Sequence, residues 1–128
     1  VPMKTYSLSI AACVATLAAG CASGPPPAAD FPAGARTPSA SEVTTTLRGK
    51  SFTLPSPRGA LRTDYASEGN RVVLYMAGTS DTGSWRAEDG RVCYEWSKFP
   101  AGCNDLRLVG EDLYAKRTNG EVVKVERR

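Results

Sequence analysis

From position 42 onward, apolar and polar residues alternate in short runs, and glycine, asparagine or proline punctuates them. The clearest run is 83–96, GSWRAEDGRVCYEW. Asp89-Gly90 reads as a two-residue hairpin turn, whose central positions favour φ > 0. With that pair as the loop, Glu88 faces Arg91, Ala87 faces Val92, Arg86 faces Cys93, Trp85 faces Tyr94 and Gly83 faces Trp96. Side chains alternate across a strand, so Trp85, Ala87, Val92, Tyr94 and Trp96 share one face. Ser84, Arg86, Glu88, Arg91, Cys93 and Glu95 share the other. The first is the core face, with Trp85, Tyr94 and Trp96 as core aromatics. A slip of one residue would expose both tryptophans, so the hydrophobic pattern holds the register. Gly83 leaves room for the Trp96 indole to lie across the strand.

The same alternation predicts a first strand over 47–54, closed by Pro55 and Pro57, which cannot donate to a ladder. A hairpin over 60–66 and 71–77 turns at Glu68-Gly69-Asn70 and places Val73, Tyr75 and Ala77 on one side. Residues 78–81 read as a loop. Further strands follow at 106–109, 113–117 and 121–126. Asn119-Gly120, read as a two-residue turn, sets Lys116 against Val123 and Tyr114 against Val125. No window carries a convincing helical period. About eight short strands in so short a stretch imply an all-β domain, a small antiparallel β-barrel or a strongly curled meander sheet.

Composition changes the picture at the N-terminus. Residues 22–41, ASGPPPAADFPAGARTPSAS, hold Phe31 as their only bulky apolar group. Such a segment buries too little to offset its ordering entropy, and reads as a disordered tether. Before it, Lys4 precedes a short apolar run, 7–19, which is too short to span a bilayer and has the layout of a secretory signal. The division is therefore 1–20 signal peptide, 21–41 Cys21 and tether, and 42–128 β domain.

Ending in Leu17-Ala18-Ala19-Gly20-Cys21, the leader resembles a bacterial lipoprotein signal. The resemblance implies that Cys21 is acylated and becomes the first mature residue. A second match, Ile10-Ala11-Ala12-Cys13, has too few apolar residues upstream, and a plain secretory signal cut elsewhere is the alternative. Ala22 resembles the sorting rule for outer-membrane lipoproteins. The implied location is the cell envelope: lipid-anchored at the outer membrane, facing the periplasm, with the membrane as partner through the anchor.

With Cys21 acylated, Cys93 and Cys103 are the thiols left to the domain, and an oxidising compartment permits a disulfide between them. Closing a loop of this size contributes about 2.5–3 kcal/mol in the chain-entropy treatment. The spacing is not Cys-x-x-Cys, so a redox or metal role is the weaker reading. The loop beyond Trp96, with Ser97, Lys98, Phe99 and Pro100, is a candidate interaction loop.

The pattern of Leu-x-Gly near the domain start, Gly83-x-Trp85, Asp89-Gly90, Cys93, Trp96 and Cys103, then Tyr and Gly, resembles a family of small exported proteobacterial proteins. That family is known only as a domain of unknown function and carries no catalytic residue to transfer.

The chain has no histidine, which removes the commonest general base and metal ligand. A net charge of +3 with scattered bases gives no nucleic-acid footprint. Phosphate loops, nucleophile elbows and zinc spacings are missing, and nothing implies a cofactor. Glu88-Asp89 and Glu111-Asp112 are paired carboxylates in predicted turns, with cation binding the lesser reading. The leading expectation is a non-enzymatic binding or envelope-interaction module with an envelope protein as partner. The alternative is a periplasmic inhibitor of a protease or lysozyme, or a small-ligand binder. An enzyme would need a carboxylate or lysine mechanism. The interior beside Trp85, Tyr94 and Trp96 discriminates: a filled one favours a scaffold, an open one a binder.

Overall fold

The alternation resolves into eight antiparallel strands: β1 (Ser51–Leu54), β2 (Leu61–Tyr65), β3 (Arg71–Met76), β4 (Thr79–Glu88), β5 (Arg91–Trp96), β6 (Gly102–Val109), β7 (Asp112–Lys116) and β8 (Val122–Arg127). A computed structural model describes residues 30–128. The leader, Cys13, Cys21 and the start of the tether lie outside the described residues. Each strand pairs with the next, and β8 returns to β1, so the sheet closes into an up-and-down barrel. Eight strands make an interior that side chains just fill, or that holds one small molecule.

The β4–β5 register is the one the Asp-Gly turn predicts, from Glu88↔Arg91 to Gly83↔Trp96. The turn itself differs. Among the described residues no non-glycine residue has positive φ, so only Gly90, at 65°, adopts it. Tertiary bonds shape this turn. Asp89 Oδ1 accepts from the Ala40 N–H at 2.8 Å, and the Gly90 N–H donates to the Pro38 carbonyl at 2.7 Å.

Val73, Tyr75 and Ala77 share one side, and it is the outer one: Val72 is fully buried, and Tyr75 lies outside beneath Arg62 at 4.8 Å. Two other expectations are corrected. Residues 79–81, read as loop, begin β4, because Ala77-Gly78 alone makes the turn and Met76 pairs with Thr79. In the last hairpin Lys116 pairs with Val122 and Ala115 with Val123. The loop is one residue longer than a two-residue turn. The Gly120 N–H donates to the Arg117 carbonyl at 2.8 Å, and Gly120 has a φ of 85°. This is the three-residue turn with a left-handed glycine that ranks next after the two-residue types. The shift puts Leu113, Ala115, Val123 and Val125 on the inner face, so the apolar pattern overrides the turn signal.

The largest departure lies before β1. Residues expected as tether or strand form a strap and a helix, α1 (Ala40–Leu47). Ser39 Oγ accepts from the Glu42 N–H at 3.2 Å and the Glu42 carboxylate returns to the Ser39 N–H, a capping box that satisfies orphan donors at both positions. Val43 and Leu47, four residues apart, fall on one helix face and are 1% and 2% exposed. They stop one end of the barrel, joining Trp85, Val72, Val92 and Leu106 in the core. The strap docks because β6 outruns β5. Beyond Leu106, whose N–H donates to Gly90 O at 2.8 Å, β5 and its turn leave that side of β6 unpaired. Arg36 fills it, donating its N–H to Leu108 O at 2.8 Å and accepting the Leu108 N–H at 3.0 Å. An unpaired strand edge is thereby covered. β1 accordingly starts at Ser51, and Leu47 closes the helix.

Cys93 and Cys103 form the disulfide, and they face each other across the β5–β6 ladder. The bond staples two strands below the loop 97–101 and does not close that loop itself. Cys93 sits on the outer face yet is only 2% exposed.

Candidate functional site

Up-and-down connectivity sorts the loops by end. The α1 plug, 66–70, 89–90 and 110–111 lie at the closed end, and 55–60, 77–78, 97–101 and 117–121 lie at the other. Here the interior is not filled. A cavity of about 360 Å³ opens between the strands, lined chiefly by Leu54, Leu61, Leu74, Met76, Trp96 and Phe99. Its size falls in the range of about 300–1,000 Å³ typical of small-molecule sites.

The floor is set by which aromatics the closed end consumes. Trp85 is core, 4% exposed, with Tyr65 edge-on at 5.3 Å and Phe52 edge-on to Tyr65 at 6.0 Å. Tyr94 and Trp96 are only partly buried. They stack at 5.1 Å and face the cavity. The three aromatics predicted as core therefore divide, one beneath the cavity and two on its wall. Gly83 permits this, since the Trp96 ring passes so close that a methyl group at 83 would lie 2.7 Å from its Cε3.

Tyr65 and Tyr94 reach across the lumen from β2 and β5 until their hydroxyls meet at 2.5 Å. Burial pushes the Tyr65 phenol up to about 12, with the Tyr94 and Thr63 hydroxyls pulling the other way. Burial also raises Tyr94 well above the usual phenol range, and the neighbouring Tyr65 adds to the rise. The pair is thus neutral at ordinary pH. In such a pair one O–H donates to the other oxygen, and the second O–H remains free to donate. The cavity is an apolar well with one neutral polar bar across its floor.

The mouth is built by the predicted interaction loop. The Asp81 carboxylate accepts the N–H groups of Lys98 at 2.9 Å and Phe99 at 3.2 Å through Oδ2, and of Thr82 at 2.8 Å through Oδ1. Its pKa lies below the usual carboxylate range. Burial is the largest influence and acts upward, and the three N–H bonds together outweigh it. Ser97 adds bonds from its N–H and hydroxyl to Thr82 O at 3.1 and 2.8 Å. Pinned this way, Phe99 and Pro100 form part of the cavity wall. Lys98 does not project freely, because its Nζ donates to Ser80 O at 3.0 Å. Across the mouth Arg117 lines the cavity, and its Nη1 donates to Pro55 O at 2.9 Å.

The paired carboxylates have other partners. Glu88 lies 3.3 Å from the Arg86 guanidinium, Asp89 caps Ala40, and Asp112 lies 3.8 Å from Lys124. Glu88, Cys93 and Cys103 place donor-type atoms within 4.8 Å of one another. Both sulfurs are in the disulfide and offer no thiolate. The 3.1 Å approach of Glu88 Oε2 to Cys93 Sγ is a contact with a protonless sulfur.

Sequence reasoning found Tyr94, Trp96, Phe99 and Pro100, but missed Tyr65, Asp81, Arg117 and the plug. The plug had a legible signal in Ser39-x-x-Glu42 followed by Val43 and Leu47. Comparison with protein-family models, with curated proteins and with solved structures returns no match for this chain.

Proposed function

We propose that this chain is an exported, lipid-anchored binding protein whose barrel holds one small, mainly apolar molecule. The open cavity beside Tyr94 and Trp96 carries the reading, because a scaffold that acts only through its surface has no use for a lumen half emptied of side chains. The closed end is packed in the ordinary way, and the void lies above it. Export and anchoring at Cys21 rest on the leader, and the Cys93–Cys103 bond suits an oxidising compartment. A binder also fits a chain without histidine, in which the polar groups at the cavity floor are two un-ionised phenols.

Titration with a series of linear alcohols tests the proposal. Trp96 fluorescence reports binding, and Leu61, which lines the well near the mouth, is replaced by Trp to block it. Saturable one-to-one binding that Leu61→Trp abolishes is expected. The absence of saturable binding up to the solubility limit of every alcohol would refute it.

A further inference from the structure

The hairpin loops at the two ends of the barrel differ in charge, while the α1–β1 connection adds Arg48 and Lys50 at the closed end. The three hairpin loops at the closed end carry Glu68, Asp89 and Glu111 and no base. The loops around the mouth carry Arg58, Lys98 and Arg117 against one acid, Glu121. Asp81 also lies there, an ionised carboxylate whose oxygens accept backbone N–H groups beneath the loop, so the mouth keeps an excess of one positive charge, three bases against Glu121 and Asp81. Among the described residues none of the three mouth cations is in an ion pair with a carboxylate. Arg117 and Lys98 are held by neutral carbonyls, which fix their place without cancelling their charge. Arg117 follows Leu113 and Ala115 on the inner face, so its charge sits where the apolar wall ends.

An apolar well under a cationic rim is complementary to a molecule with an apolar tail and an anionic head. Resting on the binding role argued above, we infer that the ligand is a single-chain amphiphile with a carboxylate or phosphate head. Its tail enters the well toward the Tyr65–Tyr94 pair, and its head stays at the rim with Arg117, Lys98 and Arg58. The well sets the tail length. At about 30 Å³ per water-sized group, 360 Å³ takes roughly a dozen non-hydrogen atoms. Affinity therefore rises about fourfold per added methylene, the equivalent of burying one more CH₂, and levels off near twelve carbons. The rim is solvent-exposed, so its contribution is modest and sensitive to salt.

The test is calorimetric titration of the full chain, below micellar concentrations, with dodecanoate, dodecyl phosphate, 1-dodecanol and dodecyltrimethylammonium. Low and high salt are compared. At low salt, one or both anions should bind about three- to tenfold more tightly than the alcohol, and the ammonium more weakly than it. High salt should narrow the gap. Which anion leads distinguishes a fatty-acid head from a phosphate head. Arg117→Gln should weaken the anions more than the alcohol and so narrow the gap between them. Because Arg117 also spans the mouth to Pro55, Lys98→Gln serves as the second variant and should give a partial loss of the same kind. Equal binding of all four ligands overturns the charged-head inference and leaves the apolar-cavity reading standing. If none of the four binds, the cavity reading fails and takes this inference with it.

Discussion

Replacing Gly83 with alanine tests the packing on which the cavity wall depends. Gly83 lies in β4 opposite Trp96, and its φ is not positive, so alanine meets no backbone strain there. The obstacle is steric. A Cβ at this position would lie 2.3 Å from the Glu95 carbonyl oxygen and 2.7 Å from Trp96 Cε3. The first neighbour is backbone of the paired strand, so relief requires moving β5 as well as turning the indole. Overpacking of this kind costs about 1–3 kcal/mol. The smaller conformational freedom of unfolded alanine returns about 0.4–1 kcal/mol. The net loss is about 1–2 kcal/mol, which for a domain of this size lowers Tm by roughly 5–15 °C. Displaced Trp96 must also leave its stack on Tyr94, which near-ultraviolet circular dichroism reads independently. Gly102→Ala is the control: its φ is not positive either, and its added methyl meets only Thr118 Cγ2 at 3.5 Å, an ordinary contact. That variant should melt with the wild type or slightly above it. If Gly83→Ala melts within about 2 °C of wild type and its aromatic spectrum is unchanged, the indole does not cross the strand at 83 and the wall is wrongly drawn.

Three further outcomes follow from the same geometry. Asp81→Ala should speed hydrogen exchange at the Lys98 and Phe99 amides and weaken ligand retention. Because the folded-state pKa of Asp81 is lowered, its contribution to stability is present above the unfolded carboxylate value and lost as pH falls through the folded one; acid titration of the loop amides reads this. For Tyr65 the sign is opposite. A phenol raised from 10.0 to about 12 keeps its proton in the fold, so its contribution is intact below pH 10 and lost as pH climbs to about 12. The loss is on the order of 3 kcal/mol, and urea melts of wild type and Tyr65→Phe across that window should converge. Changing both Cys93 and Cys103 to alanine removes a link between residues ten apart and should cost about 2.5–3 kcal/mol in chemical denaturation. Equal stability of that variant and the oxidised wild type would show that the bond is dispensable.

What could be read from the chain alone was what depends on neighbours in sequence. The 83–96 hairpin was legible because a two-residue turn and an aromatic alternation agree on one register. At 113–125 they disagree by one residue, and the apolar alternation is the better guide because burial outweighs a turn preference. α1 was hidden by Thr44-Thr45-Thr46, a β-branched run that imitates a strand, although Ser39 and Glu42 announce its start. The strap reads as tether because it buries little of its own. Its reason to dock is the bare edge of β6, some seventy positions on. The cavity was beyond reach for a related reason. Alternation tells which side chains point inward, but whether they meet in the middle depends on closing the ring. Tyr65 and Tyr94, on strands that are not neighbours, touch only after closure.

The ring is joined at a narrow seam. β1 and β8 share two paired positions, Phe52↔Arg127 and Thr53↔Glu126, with one more bond from the Arg128 N–H to Ser51 O, whereas every other junction pairs four or more. While that join holds, the described residues show no bare ribbon to which another chain could add itself. When it parts, two such ribbons appear at once, so unzipping there is also the step that makes the molecule adhesive. Resistance to clumping over long storage therefore rests on a handful of atoms where the last strand meets the first.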